Sequence, residues 1–377
     1  MPVPRCAHPP QGKPLTKGAS PRNILVLQLG DIGDVVLATA SFRALKDHLP
    51  GARVHALVRK GCGALLAADP NLSGIFESRR GGGKFTDVGR EDLALARSLR
   101  TERFDLLIDL RTGDRSAILA LLARGTEKVA YAGDGAFWRR LIFTRLFDRL
   151  DAAPPPAHPG ADQSLRILRA AGLEVKNFPP QLHVSEETDA SAMRILEEAG
   201  IAPGERFLTV NPFSRWKYKE WVHHRWTEVI STLFERHGLA TVLVGGREES
   251  VAAESIARQA RGKPVSLAGR TDLGELAAVL RRSMLHLGVD SAAPHMAAAL
   301  GTPSLTIFGP SDWRAWVVPD DLHRVITPDM QCVPCRRKGC DGKEKSICLE
   351  ELPAEKVLGA AEEILRAAPL RTFSAPR

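Results

Sequence analysis

An unbroken apolar run from Ile24 to Leu29 stops at Gly30 and Gly33, and apolar positions then recur at helical spacing: Val35, Val36, Ala38, Phe42, Leu45. The change of period predicts a buried strand, a glycine turn and a helix, the opening unit of a doubly wound α/β sheet. The alternation continues, with strands expected at Arg53–Val58, Phe104–Leu110 and Lys128–Tyr131, and helices at Glu91–Arg100, Asp114–Ala123 and Asp162–Ala171. Residues 151–160 are rich in chain breakers and read as a loop.

The second half repeats the pattern. Strands are expected at Phe207–Asn211, Thr241–Gly245, Val265–Leu267, Leu285–Asp290 and Ser304–Phe308. Helices are expected at Trp221–His237, Glu248–Ala260, Leu273–Arg282, Ala293–Leu300 and Ala354–Ala367. Phe178-Pro179-Pro180 is the natural boundary between two α/β units, 22–178 and 179–353, with a final helical segment at 354–377. Two such sheets place a cleft at the carboxyl ends of their strands. Residues 1–21 hold several prolines and glycines and no apolar segment, so they read as a disordered tail and not as a signal peptide.

Charge changes the picture by its placement. The net charge is +8, and Lys plus Arg number 27 against 18 Asp plus Glu in residues 1–180, but 25 against 26 in residues 181–377. The whole positive excess lies in the first half, which suits a partner that is anionic. The chain has only two tyrosines, and lacks the aromatic interleaving of a single-strand binder, so nucleic acid is not the expected partner. No apolar run reaches the ~20 residues needed to cross a membrane, and a cytoplasmic protein is expected.

The glycines of the first turn do not match G-x-G-x-x-G; where that motif leaves room for a pyrophosphate stands Asp34. A carboxylate there repels a phosphate but can take a proton from a hydroxyl, although Asp in a first turn can equally serve as a helix cap. The second half has three strand ends suited to phosphate. Ser214, Arg215, Lys217 and Lys219 follow the first strand; Asp290, Ser291 and His295 open a helix; Gly309 and Ser311 follow the last strand. His295 taken singly fits a packed helix histidine as well as a phosphate donor. Glu248, after Gly245-Gly246, is placed either to accept from ribose hydroxyls or to cap its helix.

Taken together these segments resemble glycosyltransferase family 9, the ADP-heptose:lipopolysaccharide heptosyltransferases, from Arg22 to about Ala367. The resemblance is carried by Gly33-Asp34-Val35, Lys219-Glu220-Trp221, Val289-Asp290-Ser291 with His295, and Phe308-Gly309-Pro310-Ser311. Within the family, the segment from Cys332 to Gly342 is similar to the enzymes that add the branch heptose of the inner core. The resemblance implies a GT-B fold: two Rossmann-like domains, acceptor in the first, nucleotide-sugar in the second, and a last helix that crosses back to the first. It implies inverting, metal-independent transfer without a cofactor, with Asp34 as base. Ser214, Lys219, Glu248, Asp290, Ser291, His295, Gly309 and Ser311 would then face the ADP-heptose donor. Gly33, Arg59, Lys60, Arg79, Arg80 and Lys84 would face the lipid A–inner core acceptor at the inner face of the cytoplasmic membrane, where the enzyme would be peripheral. Where the family commonly has Asp-Thr-Gly, this chain has Asp290-Ser291-Ala292, and the added methyl narrows the backbone's approach to the donor.

Cys332, Cys335, Cys340 and Cys348 are spaced C-x2-C-x4-C-x7-C, which is compatible with a tetrahedral metal site or with a reduced, cysteine-bearing loop. Two other function classes share these features: a nucleotide-sugar enzyme of the same fold that does not transfer heptose to a lipid, such as an epimerase, and a non-catalytic binder of anionic ligands. Loss of Asp34 separates them, since it would abolish transfer and leave a binder's affinity intact.

Overall fold

The computed structural model describes residues 21–79, 90–111, 113–132, 137–147, 158–342 and 344–367. The first α/β unit runs β1 (Asn23–Gln28), α1 (Ile32–His48), β2 (Arg53–Arg59), α2 (Gly63–Leu66), β3 (Gly74–Ser78), α3 (Arg90–Thr101), β4 (Arg103–Asp109), α4 (Asp114–Leu122), β5 (Arg124–Tyr131), β6 (Arg145–Phe147) and α5 (Pro159–Ala170). The second runs α6 (Glu186–Glu198), β7 (Phe207–Asn211), α7 (His223–His237), β8 (Ala240–Leu243), α8 (Ser250–Gln259), β9 (Val265–Ser266), α9 (Leu273–Arg282), β10 (His286–Val289), α10 (Ala292–Ala299), β11 (Ser304–Ile307), β12 (His323–Ile326), α11 (Ile347–Glu351) and α12 (Ala354–Ala367).

Among the described residues these strands form two parallel six-stranded sheets, ordered β3-β2-β1-β4-β5-β6 and β12-β11-β10-β7-β8-β9. Numbered within its own unit, each sheet has the order 3-2-1-4-5-6, so this is the expected α/β GT-B architecture. In that order the crevice opens where the strand order reverses, between β1 and β4 in one sheet and between β7 and β10 in the other. The central strands are buried on both faces and read as continuous apolar runs; Ile24, Leu25, Val26 and Leu27 of β1 are fully buried. The expected boundary at Phe178 falls in the extended stretch between α5 and α6.

The two units share an apolar contact. Ala277 and Leu280 of α9, with Ala293, Met296 and Ala299 of α10, join the core formed by α1, α2 and α5. A side chain at Gly274, the second residue of α9, would press on the Ala64 carbonyl of α2, so the two helices meet backbone to backbone. Leu182 N–H donates to the Ala299 carbonyl (3.0 Å), and Gln181 N–H to Thr39 Oγ1 of α1 (3.0 Å).

Val357, Leu358, Ala361 and Ile364 of α12 pack into the second unit's core beside Trp226 and Leu233 of α7. The apolar residues of α12 recur at helical spacing, so one face of the helix is buried there.

Candidate active site

Asp34 is the third residue of α1, and its carboxylate turns back to accept the Asp31 N–H through Oδ2 (2.9 Å). The capping alternative therefore describes the local geometry, but does not exhaust it. Arg111, just past the end of β4, places Nη1 3.1 Å from the same Oδ2. A side chain at Gly30 would run into that oxygen and into Gln28 Oε1, so the turn demands glycine for close approach. Asp31 in turn is gripped from both sides of the cleft. Arg59 Nη2 reaches Asp31 Oδ1 at 2.8 Å from the end of β2, and Arg215 Nη1 reaches it at 2.8 Å from the loop after β7.

On the second unit, Lys219 and Asp290 form an ion pair of 2.6 Å between Nζ and Oδ2, with both side chains largely buried. They come from the loops after β7 and β10, at the crevice of the sheet. Ser214 Oγ donates to the Asp290 carbonyl (3.2 Å), Ser214 N–H to Glu220 Oε1 (2.9 Å), and Asn211 Nδ2 reaches Ser291 Oγ (3.4 Å). These bonds hold the loop after β7 against the N-terminus of α10, begun by Ser291, whose first N–H groups have no partner within the helix. His295, on α10, packs against Gly33 of α1, where an added Cβ would lie 3.5 Å from its Cδ2. Desolvation holds its imidazole below the ordinary histidine range, opposed by the carboxylates of Asp290 and Asp34 and assisted by Lys219. His295 is thus both packed and within the electrostatic reach of the site, and it joins the two halves. His158, at the N-cap position of α5, is half-buried near it and pushed down to about 4 by desolvation and by His295.

The remaining expected residues are spread more widely. Glu248 is exposed beyond β8, while its neighbour Glu249 turns inward to accept the Gly246 N–H (2.6 Å) and burial raises its carboxyl. Gly309 is buried, and a Cβ there would meet the Leu349 side chain, so the turn packs closely on α11. Ser311 is half-buried in the loop below which Arg336 pairs with Asp312 at 2.6 Å, holding the Asp312 carboxyl below its usual range. Lys60 pairs with Glu91 (2.9 Å) and Arg79 with Asp92 (3.5 Å), at the ends of β2 and β3. Arg80 and Lys84 lie outside the described residues.

Sequence reasoning missed Arg111, Arg115 and the clamping role of Asp31. Arg115 shares Asp92 with Arg79 (3.4 Å) and donates to Ser78 Oγ (2.8 Å). The usable signal was position: Arg111 follows the strand next to β1 in a 3-2-1-4 sheet, opposite Asp34 across the crevice. The four cysteines are free; Cys332 is exposed, Cys335 and Cys340 are half-buried, and Cys348 is buried, its thiol pushed up to about 11 by burial and by the other three. Among the described residues no three His, Cys, Asp or Glu side chains are grouped to hold a metal ion.

Residues 93–346 match the model of glycosyltransferase family 9 (heptosyltransferase). The chain is 27% identical over 343 residues to lipopolysaccharide heptosyltransferase 3 of Escherichia coli strain K12, covering 88% of this chain and 95% of that one. It is also similar to the glycosyltransferase family 9 structure from Veillonella parvula DSM 2008 (TM-score 0.75, 22% identity, covering 92% and 98% of the two chains). The Escherichia coli ADP-heptose lipopolysaccharide heptosyltransferase II superposes with a TM-score of 0.73 at 21% identity, over 92% and 99%. With the family model spanning two thirds of its length and both crevices carrying the residues described above, this chain is a member of glycosyltransferase family 9.

Proposed function

We propose that the protein transfers heptose from ADP-L-glycero-D-manno-heptose to a hydroxyl of the lipopolysaccharide inner core, with inversion at the anomeric carbon. The observation that carries the reading is the pairing of the two crevices. A carboxylate, Asp34, stands at the reversal point of the first sheet, and a lysine–aspartate pair, Lys219–Asp290, stands at that of the second, with His295 between them. The names of the relatives supply the donor and acceptor classes.

The chemistry follows from that placement. The donor diphosphate lies against Lys219, the N-terminus of α10 and the hydroxyls of Ser214 and Ser291, which stabilise the charge growing on the leaving phosphate. Glu248, exposed beyond β8, and Ser311 are assigned to the ribose and the diphosphate of the same donor. The acceptor oxygen attacks the anomeric carbon from the opposite face, the bond to the diphosphate breaks with its electron pair going to the phosphate oxygen, and the hydroxyl proton passes to Asp34. Lys219 and the helix dipole supply the cationic charge, so turnover is expected to persist in a chelator. The acceptor is the phosphorylated lipid, met at the inner face of the cytoplasmic membrane by the basic first domain; among the described residues no helix is long and apolar enough to cross a membrane.

The test is an assay with ADP-heptose and a truncated inner-core acceptor, read by product mass. The expected product is the acceptor plus one heptose, formed with or without chelator, and lost by at least ~100-fold in Asp34→Asn with ADP affinity unchanged. Turnover within a few-fold of wild type in Asp34→Asn would return Asp34 to a capping role.

A further inference from the structure

We propose that Arg111 is a positioning residue that fixes which oxygen of Asp34 takes the acceptor's proton; the inference rests on Asp34 being the base. Both contacts that the described residues make with this carboxylate fall on one atom, Oδ2: the Asp31 N–H at 2.9 Å and Arg111 Nη1 at 3.1 Å. With Oδ2 occupied by two donors, Oδ1 is the oxygen left with lone pairs for a hydroxyl. In the transfer, the acceptor's O–H bond breaks as its oxygen bonds the anomeric carbon. The proton goes to Oδ1, the bond between the anomeric carbon and the diphosphate oxygen breaks, and its electron pair leaves with ADP.

Arg111 is built to hold that geometry. Its own backbone N–H donates to Asp109 Oδ1 (3.0 Å), and Asp109 is buried at the end of β4, where its other oxygen accepts from Ser116 Oγ. Leu110 N–H continues the ladder to the Leu27 carbonyl of β1 (3.0 Å), so the residue before Arg111 is registered on the strand that leads into Asp34. The Asp31 N–H is fixed as firmly, because Arg59 and Arg215 both hold the Asp31 carboxylate. Gly30 leaves no room for a side chain behind Oδ2, so the carboxylate and its two donors form one close-packed unit. The Arg111 side chain is half exposed (52%) against 19% for Asp34. The guanidinium therefore forms the solvent-facing wall of the base and can be replaced without opening the core.

The decisive experiment is a double-mutant cycle on Asp34→Asn and Arg111→Ala, with Arg111→Lys and Arg111→Gln alongside, using ADP-heptose and the truncated inner-core acceptor. Expected are a fall in kcat of about 30-fold for Arg111→Ala with the KM for ADP-heptose within about twofold, the scale of a misplaced reacting group. Arg111→Lys should recover part of the loss, since a lysine restores one donor but not the planar fork. In the Asp34→Asn background, Arg111→Ala should cost no more than about twofold further, because the two act as one unit. Melting temperatures of the Lys and Gln variants near wild type show that the fold is intact. A raised acceptor KM with kcat retained, or a loss of equal size in both backgrounds, would make Arg111 an acceptor contact and overturn the proposal, as would unchanged kinetics. If Asp34→Asn itself stays active, the reading of Asp34 as base fails first, whatever Arg111 does.

Discussion

His55 shows how a single residue can be at odds with its surroundings and stay hidden in the sequence. It sits at an apolar position of β2, buried between Phe76 and Phe104 with ring centroids 5.9 and 5.8 Å away, and neither ring nitrogen has a hydrogen-bond partner among the described residues. Burial, helped by Arg53, holds its pKa below the ordinary value, with Glu102 opposing. The unfolded chain takes up a proton near pH 6.5 that the folded chain refuses until lower pH, so stability falls as pH drops below about 6.5. His158 and His286, pushed down to about 4 and about 3 by burial, add to the same slope. His55→Phe removes one such group and its unsatisfied nitrogens; it is expected to raise the melting temperature at pH 7 and to flatten its fall between pH 6.5 and 5. Thermal melts across that range decide it, and an unchanged slope would mean that His55 finds a partner in solution. At this scale the sequence marks Asp34, Lys219 and Asp290 because charge beside a strand end is conspicuous. It hides Arg111 and Asp31, whose importance comes only from what lies opposite them.

At the scale of elements, legibility followed length and burial. The runs forming β1, β4, β7 and β10 are apolar on both faces and announce themselves. The strands β3, β6 and β12 were missed because they lie at or near the sheet edges, are half-exposed, and carry too few residues to show a period. The helix α6 was missed for another reason: Ser185 caps it and three acids open it, so its amphipathic pattern looks like a polar linker. The apolar stripe of α12 was legible, but a stripe says that a helix is covered, not by what; its cover is the second unit's core. The loop after β7 gives an element-scale prediction. Lys219 is mostly buried and held by Asp290, so Lys219→Ala should weaken ADP binding by about 10- to 100-fold, corresponding to ~1.5–3 kcal/mol for a charge-assisted contact. It also leaves the Asp290 carboxylate unpaired, and a lowered melting temperature should accompany the loss, which Lys219→Ala with Asp290→Asn partly restores. Calorimetry with ADP reads the first effect, and unchanged affinity would remove Lys219 from the donor site.

At the scale of the whole molecule, the positive excess of the first half survives in the structure as arginines that outnumber their carboxylates. Asp92 serves both Arg79 and Arg115, which leaves a net cation near the ends of β3 and β4, while Asp31 is matched by Arg59 within the first unit and takes Arg215 from the second. An exposed face of this kind acts through solvent and is screened over a Debye length of ~8 Å at physiological ionic strength, whereas the largely buried Lys219–Asp290 crevice is screened less. Acceptor use is therefore expected to weaken with added salt more steeply than ADP binding does. Lys60, 61% exposed, and Arg79, 47% exposed, are the described members of the expected acceptor face that solvent reaches most freely. Replacing both by Gln should raise the acceptor KM several-fold at low salt and flatten its salt dependence, while the donor KM and the melting temperature hold. A headgroup-free oligosaccharide acceptor lacking phosphate should show neither effect. Equal salt slopes for donor and acceptor, untouched by the double variant, would mean that the basic face only keeps the protein in solution and takes no part in recognising the lipid.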